Sequence, residues 1–229
     1  LHKLAWSHLK AEQFPQAGDG FAQQLEAFPN GELSSDATFL QGECWFKQKK
    51  WEAALPWYEK VIATQNPQYY ALSLFRTGEC QGKLEAWKKS QQIHEKVLAN
   101  FPDFELRAEA RYGAGWALQQ QGQLAEAIKQ YELVTEETQT ETAAKARFMI
   151  GECCFAKKEH KEATRHFLKA AYSYGHKEWS PMAFFEAGRC FEVLRDSAQA
   201  KNCYQQLVEK YGEHSKVRDA RRRLAALGG

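Results

Sequence analysis

Apolar positions along this chain recur with the period of a helix. Ala54, Tyr58, Val61 and Ile62 make an i, i+4, i+7, i+8 stripe, and Ala200, Tyr204, Leu207 and Val208 repeat it further on. Such a stripe turns one face of an amphipathic helix toward a core. No stretch keeps the two-residue alternation of a strand, so the pattern predicts an all-α chain. Punctuation falls between the stripes, at Phe28-Pro29-Asn30-Gly31, Asn66-Pro67, Phe101-Pro102-Asp103 and Ser180-Pro181. The last reads as a helix N-cap followed by proline at the first helical position. Pro15 and Pro56 read as lying near helix starts, where a missing N–H costs little.

The stripes belong to an internal repeat. Gly-Glu-Cys occurs at Gly42, Gly78 and Gly151, and extending its register gives a small residue at Ala5, Gly42, Gly78, Gly115, Gly151 and Gly188, in steps of 36 or 37. Twelve residues after each stands another small residue: Ala17, Ala54, Ser90, Ala127, Ala163 and Ala200. Four further on comes a ring, at Phe21, Tyr58, Tyr131, Phe167 and Tyr204, with His94 as the exception. Small residues in both columns let two antiparallel helices approach closely, and the ring shares the second helix's inner face. Each repeat is therefore expected to be one helical hairpin, over residues 1–33, 34–70, 71–106, 107–142, 143–179 and 180–214, with a last helix in 215–229.

A small residue, an Ala after twelve, an aromatic after sixteen and often a closing Pro resemble the tetratricopeptide (TPR) motif, over nearly the whole chain. Two features depart from its common form: the step exceeds 34 residues, and the ring ahead of the glycine lies three residues before it. In both, the chain is similar to the longer repeats of bacterial envelope proteins, such as the Tol-Pal cell-division coordinator and the outer-membrane assembly lipoproteins. The resemblance implies a right-handed superhelical solenoid of antiparallel hairpins, a protein-interaction adaptor without catalytic residues or cofactor, and protein or peptide segments as partners.

It also implies where a partner would lie. In this family the first helix of each repeat lines a concave groove through positions three before, one after and four after the small residue, which share a helical face. Here these include Phe39, Glu43 and Phe46; Phe75 and Glu79; Tyr112 and Trp116; Phe148, Glu152 and Phe155; Phe185 and Arg189. One reading is a groove whose rings grip apolar side chains while Glu43, Glu79 and Glu152 select basic or amide-rich segments. The other is that Phe39, Phe75, Tyr112, Phe148 and Phe185 pack hairpin against hairpin, and that the glutamates line a solvated face. A clamp for a C-terminal carboxylate is excluded by the resemblance, because rings and Glu hold the positions where it needs Lys and Asn.

Charge and candidate chemistry change this picture little. Lys+Arg 31 against Asp+Glu 29 leaves a net charge of +2, so no global field calls for nucleic acid or an anionic membrane. No apolar run is long enough to cross a bilayer. Cys44, Cys80, Cys153 and Cys190 share one repeat position, and helix packing would hold neighbours about 10 Å apart, too far for a disulfide. Cys154 and Cys203 are less constrained, and a bridge within the last repeat stays open. Unpaired cysteines favour a reducing cytosol, against the periplasm that the resemblance suggests. His160 and His166 are off a common face and read as surface residues; the carboxylates read as solvated, and no metal or nucleophile motif appears.

The two ends read differently. Lys216 to Leu227 looks like a capping helix, with Val217, Ala220, Leu224 and Leu227 inward and Lys216, Arg218, Arg221, Arg222 and Arg223 around the other side. The arginine run is a solvated face, or else a salt-sensitive contact for phosphate. The first hairpin begins without an N-cap residue, with Trp6 and Leu9 available for packing, which predicts further repeats upstream and makes this the C-terminal part of a longer protein. A cytosolic scaffold, or a targeting module beside an upstream enzyme domain, are the alternatives to an envelope adaptor.

Overall fold

The computed structural model describes residues 1–228, and among them there are thirteen helices and no strand. In chain order they are α1 His2–Lys10, α2 Phe14–Ala27, α3 Ser34–Lys47, α4 Trp51–Thr64, α5 Tyr70–Lys83, α6 Trp87–Asn100, α7 Arg107–Gln120, α8 Leu124–Glu137, α9 Glu141–Ala156, α10 His160–Ser173, α11 Trp179–Val193, α12 Ser197–Lys210 and α13 Val217–Gly228. They form two compact units, Leu1–Ala117 and Leu118–Gly229. Within the first, α1 to α5 pack each on the next and α5 packs on α6; within the second, α8 to α13 do the same, and α9 also touches α11. No described helix is long and apolar enough to cross a membrane.

Each turn from a first to a second helix is built alike. Glu12, Lys49, Glu85, Gly122, Lys158 and Arg195 all take a left-handed backbone, with φ between 58° and 77°. The residue after each returns an N–H to a carbonyl five back, as from Lys50 to Trp45 O (3.0 Å), Glu159 to Cys154 O (2.9 Å) and Asp196 to Phe191 O (2.9 Å). This is a Schellman stop, which fixes the angle at which the second helix leaves. Glycine is the residue that adopts this conformation without penalty, yet it stands only at Gly122; elsewhere the long polar side chains tolerate the turn.

The glycine column exists for the rings. A methyl group added at Gly42 would stand 2.8 Å from Tyr58, at Gly151 2.6 Å from Phe167, and at Gly188 2.5 Å from Tyr204. The second-helix ring therefore lies directly on the first-helix backbone, and Tyr58, Tyr131, Tyr204, Phe21 and Phe167 are fully buried. His94 holds the same place: it is 2% exposed, between Gly78 and Gly113, where an added methyl would stand 2.8 Å and 2.5 Å from its ring.

Three local expectations are corrected. Ser180 is not an N-cap: α11 begins one residue earlier, at Trp179, and Ser180 is buried within it. Pro181 still lies in the first turn, where no intrahelical N–H bond is lost. Pro56 is the sixth residue of α4, beyond the free first turn, so one bond to the carbonyl of the exposed Glu52 is missing. In α13, Val217 and Ala220 are buried, but Arg223 turns inward with them: it pairs with Glu192 at 2.6 Å, and its guanidinium lies over Phe185.

Candidate functional site

The ring three residues before each glycine meets the second-helix ring of its own hairpin. Centroids are 5.8 Å apart for Phe39 and Tyr58, 5.6 Å for Phe75 and His94, 5.2 Å for Phe148 and Phe167, and 5.7 Å for Phe185 and Tyr204. His2 does the same with Phe21, at 5.6 Å. On its other side each of the four phenylalanines is covered from the segment leading to the next first helix or from that helix's first residue: Phe39 by Tyr69, Phe75 by Phe104, Phe148 by Trp179, and Phe185 by Lys216. These four rings are 4–5% exposed, which leaves almost no surface for a partner. Tyr112, Phe46, Trp116 and Phe155 are half-buried and keep an accessible edge.

The glutamates are not all on a solvated face: Glu43 is buried, while Glu79 and Glu152 are half-buried. In the first unit Glu43 is buried and accepts three hydrogen bonds, from Tyr58 Oη (2.6 Å), Arg76 Nε (2.8 Å) and Arg76 Nη2 (3.1 Å). Arg76 also donates Nη1 to Glu79 (2.6 Å) and lies over the Phe46 ring at 4.8 Å. Burial alone would lower the Arg76 pKa, but Glu43 and Glu79 outweigh it and hold the guanidinium charged. Burial raises the pKa of Tyr58, and the charge of Glu43 adds to it, so the phenol stays a donor. Glu79 is raised as well, by burial that Arg76 offsets only in part.

In the second unit the same positions are arranged otherwise. Arg189 lies over the Phe155 ring at 5.4 Å and pairs with Glu186 at 2.6 Å. Glu152, the counterpart of Glu43, has no side-chain hydrogen bond or ion pair among the described residues, and Phe167 offers it no hydroxyl. Its pKa is raised first by burial and then by the charge of Glu186, against Arg189. Burial raises Glu186 too, against Arg189, Lys216 and Arg223.

Buried phenols elsewhere draw on the position four after the glycine. Tyr131 donates to Gln119 at 2.9 Å and Tyr204 to Glu192 at 2.6 Å. Where that position is a phenylalanine, either the phenol turns to Glu43, as Tyr58 does, or the ring is Phe167 and needs no acceptor. Part of the predicted groove face is thus spent on satisfying the core. Arg76 and Glu186, two residues before the glycine, were missed in the sequence because that column holds no constant residue type.

The remaining chemistry is quiet. All six cysteines are buried and free, which closes the possibility of a bridge in the last repeat. Burial pushes Cys44, Cys80, Cys153, Cys190 and Cys203 up to about 12 and raises Cys154. Thiols so far from ionising are poor nucleophiles in either compartment, so their number carries no weight on location. His160 and His166 are half-buried, not surface residues: His160 sits edge-on to Phe155, and His166 is 3.3 Å from Arg147. Among the described residues no group of His, Cys, Asp or Glu is placed to hold a metal ion.

This fold of glycine-and-ring hairpins defines a helical repeat protein of the interaction type. Tetratricopeptide repeat models match residues 2–70 and 91–142, and another matches 182–214, so the chain belongs to the tetratricopeptide repeat family. No curated protein matches it in sequence. Among solved structures it is similar to PilF of Pseudomonas aeruginosa, with TM-score 0.71, 15% identity, and 96% of this chain and 95% of that one covered. It is similar to PilW, a type IV pilus biogenesis factor, with TM-score 0.74, 16% identity and 95% of both chains covered. YrrB, a TPR protein with an unusual peptide-binding site, aligns at TM-score 0.62 and 18% identity over 90% of this chain and 99% of that one.

Proposed function

We propose that this protein is an adaptor that holds segments of partner proteins against the accessible part of its first helices, within assemblies of the bacterial cell envelope. The observation that carries it is the surface formed by Glu152, Phe155 and Arg189: an apolar ring with a charged rim, half-open to solvent, on two rigid helices. Rigid placement keeps the ordering cost of binding low. Phe46, Glu79, Tyr112 and Trp116 hold the corresponding positions of the first unit, where Phe39 and Phe75 lie behind them and Glu43 is a brace, as Phe148 and Phe185 lie behind the surface of the second. The envelope setting is favoured by the long repeat step and by the full-length likeness to two pilus proteins.

Selection of binders from a random-peptide phage library tests the adaptor reading. Peptides so obtained should lose at least tenfold in affinity with Phe155→Ala or Trp116→Ala, and nothing with Lys169→Ala, an exposed site on α10. Binders indifferent to both ring substitutions, or a library that yields none, would refute it.

A further inference from the structure

Each first helix turns one side to the second helix before it, through the positions four and one before its small residue and two after it. In α3 these include Gln41 and Cys44, and a methyl added at Gly18 of α2 would stand 3.6 Å and 3.7 Å from them. In α5 they are Leu74, Thr77 and Cys80. Cys80 clusters with Ala54 and Tyr58 of α4, and Ile62 of α4 packs against the cluster that holds Leu74. The middle column, Gln41, Thr77, Ala114, Ile150 and Ala187, is at most 6% exposed, and the last, Cys44, Cys80, Ala117, Cys153 and Cys190, is wholly enclosed. In α1 the same three positions are Leu1, Leu4 and Ser7, and all three are exposed, Leu4 to 63%. Beside them opens a hollow of about 240 Å³, bordered by His8 and by Gln16, Asp19 and Gln23 of α2.

We propose that this side of α1 seats the second helix of a further hairpin of the same repeat, in register ahead of Leu1 in the polypeptide. The occupant follows from the interface itself, which the chain builds repeatedly between a second helix and the next first helix, as in α2 on α3, α4 on α5, α8 on α9 and α10 on α11. The open positions match the closed ones in size: Ser7 is close to the cysteine it replaces, and Leu1 repeats Leu74. A helix that faces water is made otherwise, as α13 shows. It closes α12 with Val217 and Ala220 and turns Arg218, Arg221 and Arg222 outward. Leu1 and Leu4 instead set an apolar patch against solvent, on a face whose counterparts are all covered. A second copy offers no free helix of the needed kind, because α12, the last second helix, is already covered by α13.

A chain that carries a copy of its own residues 34–73 directly before Leu1 tests this. The copy keeps the 36-residue step between its Gly42 and Ala5, and so brings a second α4 over α1. Circular dichroism should gain the signal of two helices, and amide exchange in α1 should slow at least tenfold relative to the unextended chain. Leu4→Glu should leave the melting midpoint of the unextended chain nearly unchanged, and lower that of the extended chain by about 5 °C or more, because a charge would then be buried in the new interface. An added hairpin that stays unfolded, or a Leu4→Glu effect that is the same with and without it, overturns the proposal. So does sedimentation of the unextended chain as a dimer that Leu4→Glu takes apart, which would give the face to a second copy.

Discussion

Glu43 and Glu152 hold the same place in their hairpins, one residue beyond a first-helix glycine, and they meet opposite neighbours. Glu43 is closed off by Arg76 and Tyr58; Glu152 has neither a side-chain hydrogen bond nor an ion pair among the described residues, feels Glu186 and Arg189 in opposite senses, and has a ring without a hydroxyl, Phe167, in the place of Tyr58. The backbone around the two is equivalent, down to the left-handed turns at Lys49 and Lys158. What separates them is an exchanged ion pair on the next first helix, Arg76 and Glu79 against Glu186 and Arg189, and one residue on the second helix, Tyr58 or Phe167. The repeat therefore supplies a scaffold of equal positions, and the side chains of the following hairpin decide which becomes core and which stays available.

The sharpest way to break this comparison is to remove the cation from each cluster. Arg76→Ala strands Glu43 in a buried site with one donor left, and should cost about 3 kcal/mol of unfolding free energy in urea melts. Arg189→Ala takes away a partly exposed pair and should cost under about 1 kcal/mol. Equal losses would mean that the two clusters are energetically alike.

A second contrast lies in the ring column, where the first unit carries a base and the second carries Phe167 and Tyr204. Burial lowers the pKa of His94 to about 4 from 6.5, and its Nδ1 has no partner. A base whose folded pKa is depressed binds its proton more readily when unfolded. Its contribution is therefore whole above pH 6.5 and is lost as pH falls toward 4, by roughly 3 kcal/mol. Phe75 lies edge-on to it, Gly78 and Gly113 lie against its ring, and burial is the cause of the shift. Hydrogen exchange at pH 5 against pH 7 should show protection falling first in α5 to α7, and His94→Phe should remove that dependence.

The smallest effect tests whether the turns are as equal as they look. Lys49→Gly and Lys158→Gly should each raise stability by about 0.5 to 1 kcal/mol, since glycine carries no penalty at positive φ. Matching shifts in the urea midpoint would leave the difference between the clusters wholly to side chains; unequal shifts would trace part of it to the backbone.

Much of the fold was legible because the repeat is written in residue size. Glycine at Gly42, Gly78, Gly151 and Gly188 and rings sixteen positions later are a contact stated twice, once from each helix. The left-handed turn column was not legible, because five of its six residues are Glu, Lys or Arg, which elsewhere mark any exposed helix end. The candidate surface was half legible. The offsets found Glu152, Phe155 and Arg189, but they could not tell that Phe39, Phe75, Phe148 and Phe185 would be covered from both sides.

By itself the sequence determined the helical hairpins, their register and the family, since each depends on spacing along one chain. Whether a glutamate in that register is a core brace or an open acceptor was decided only in the tertiary structure. The reason is distance in sequence: Glu43 and Arg76 are 33 residues apart, and Tyr58 approaches the same carboxylate from another helix. A carboxylate's desolvation and its partners are properties of the packed neighbourhood, and no periodicity within one helix contains them.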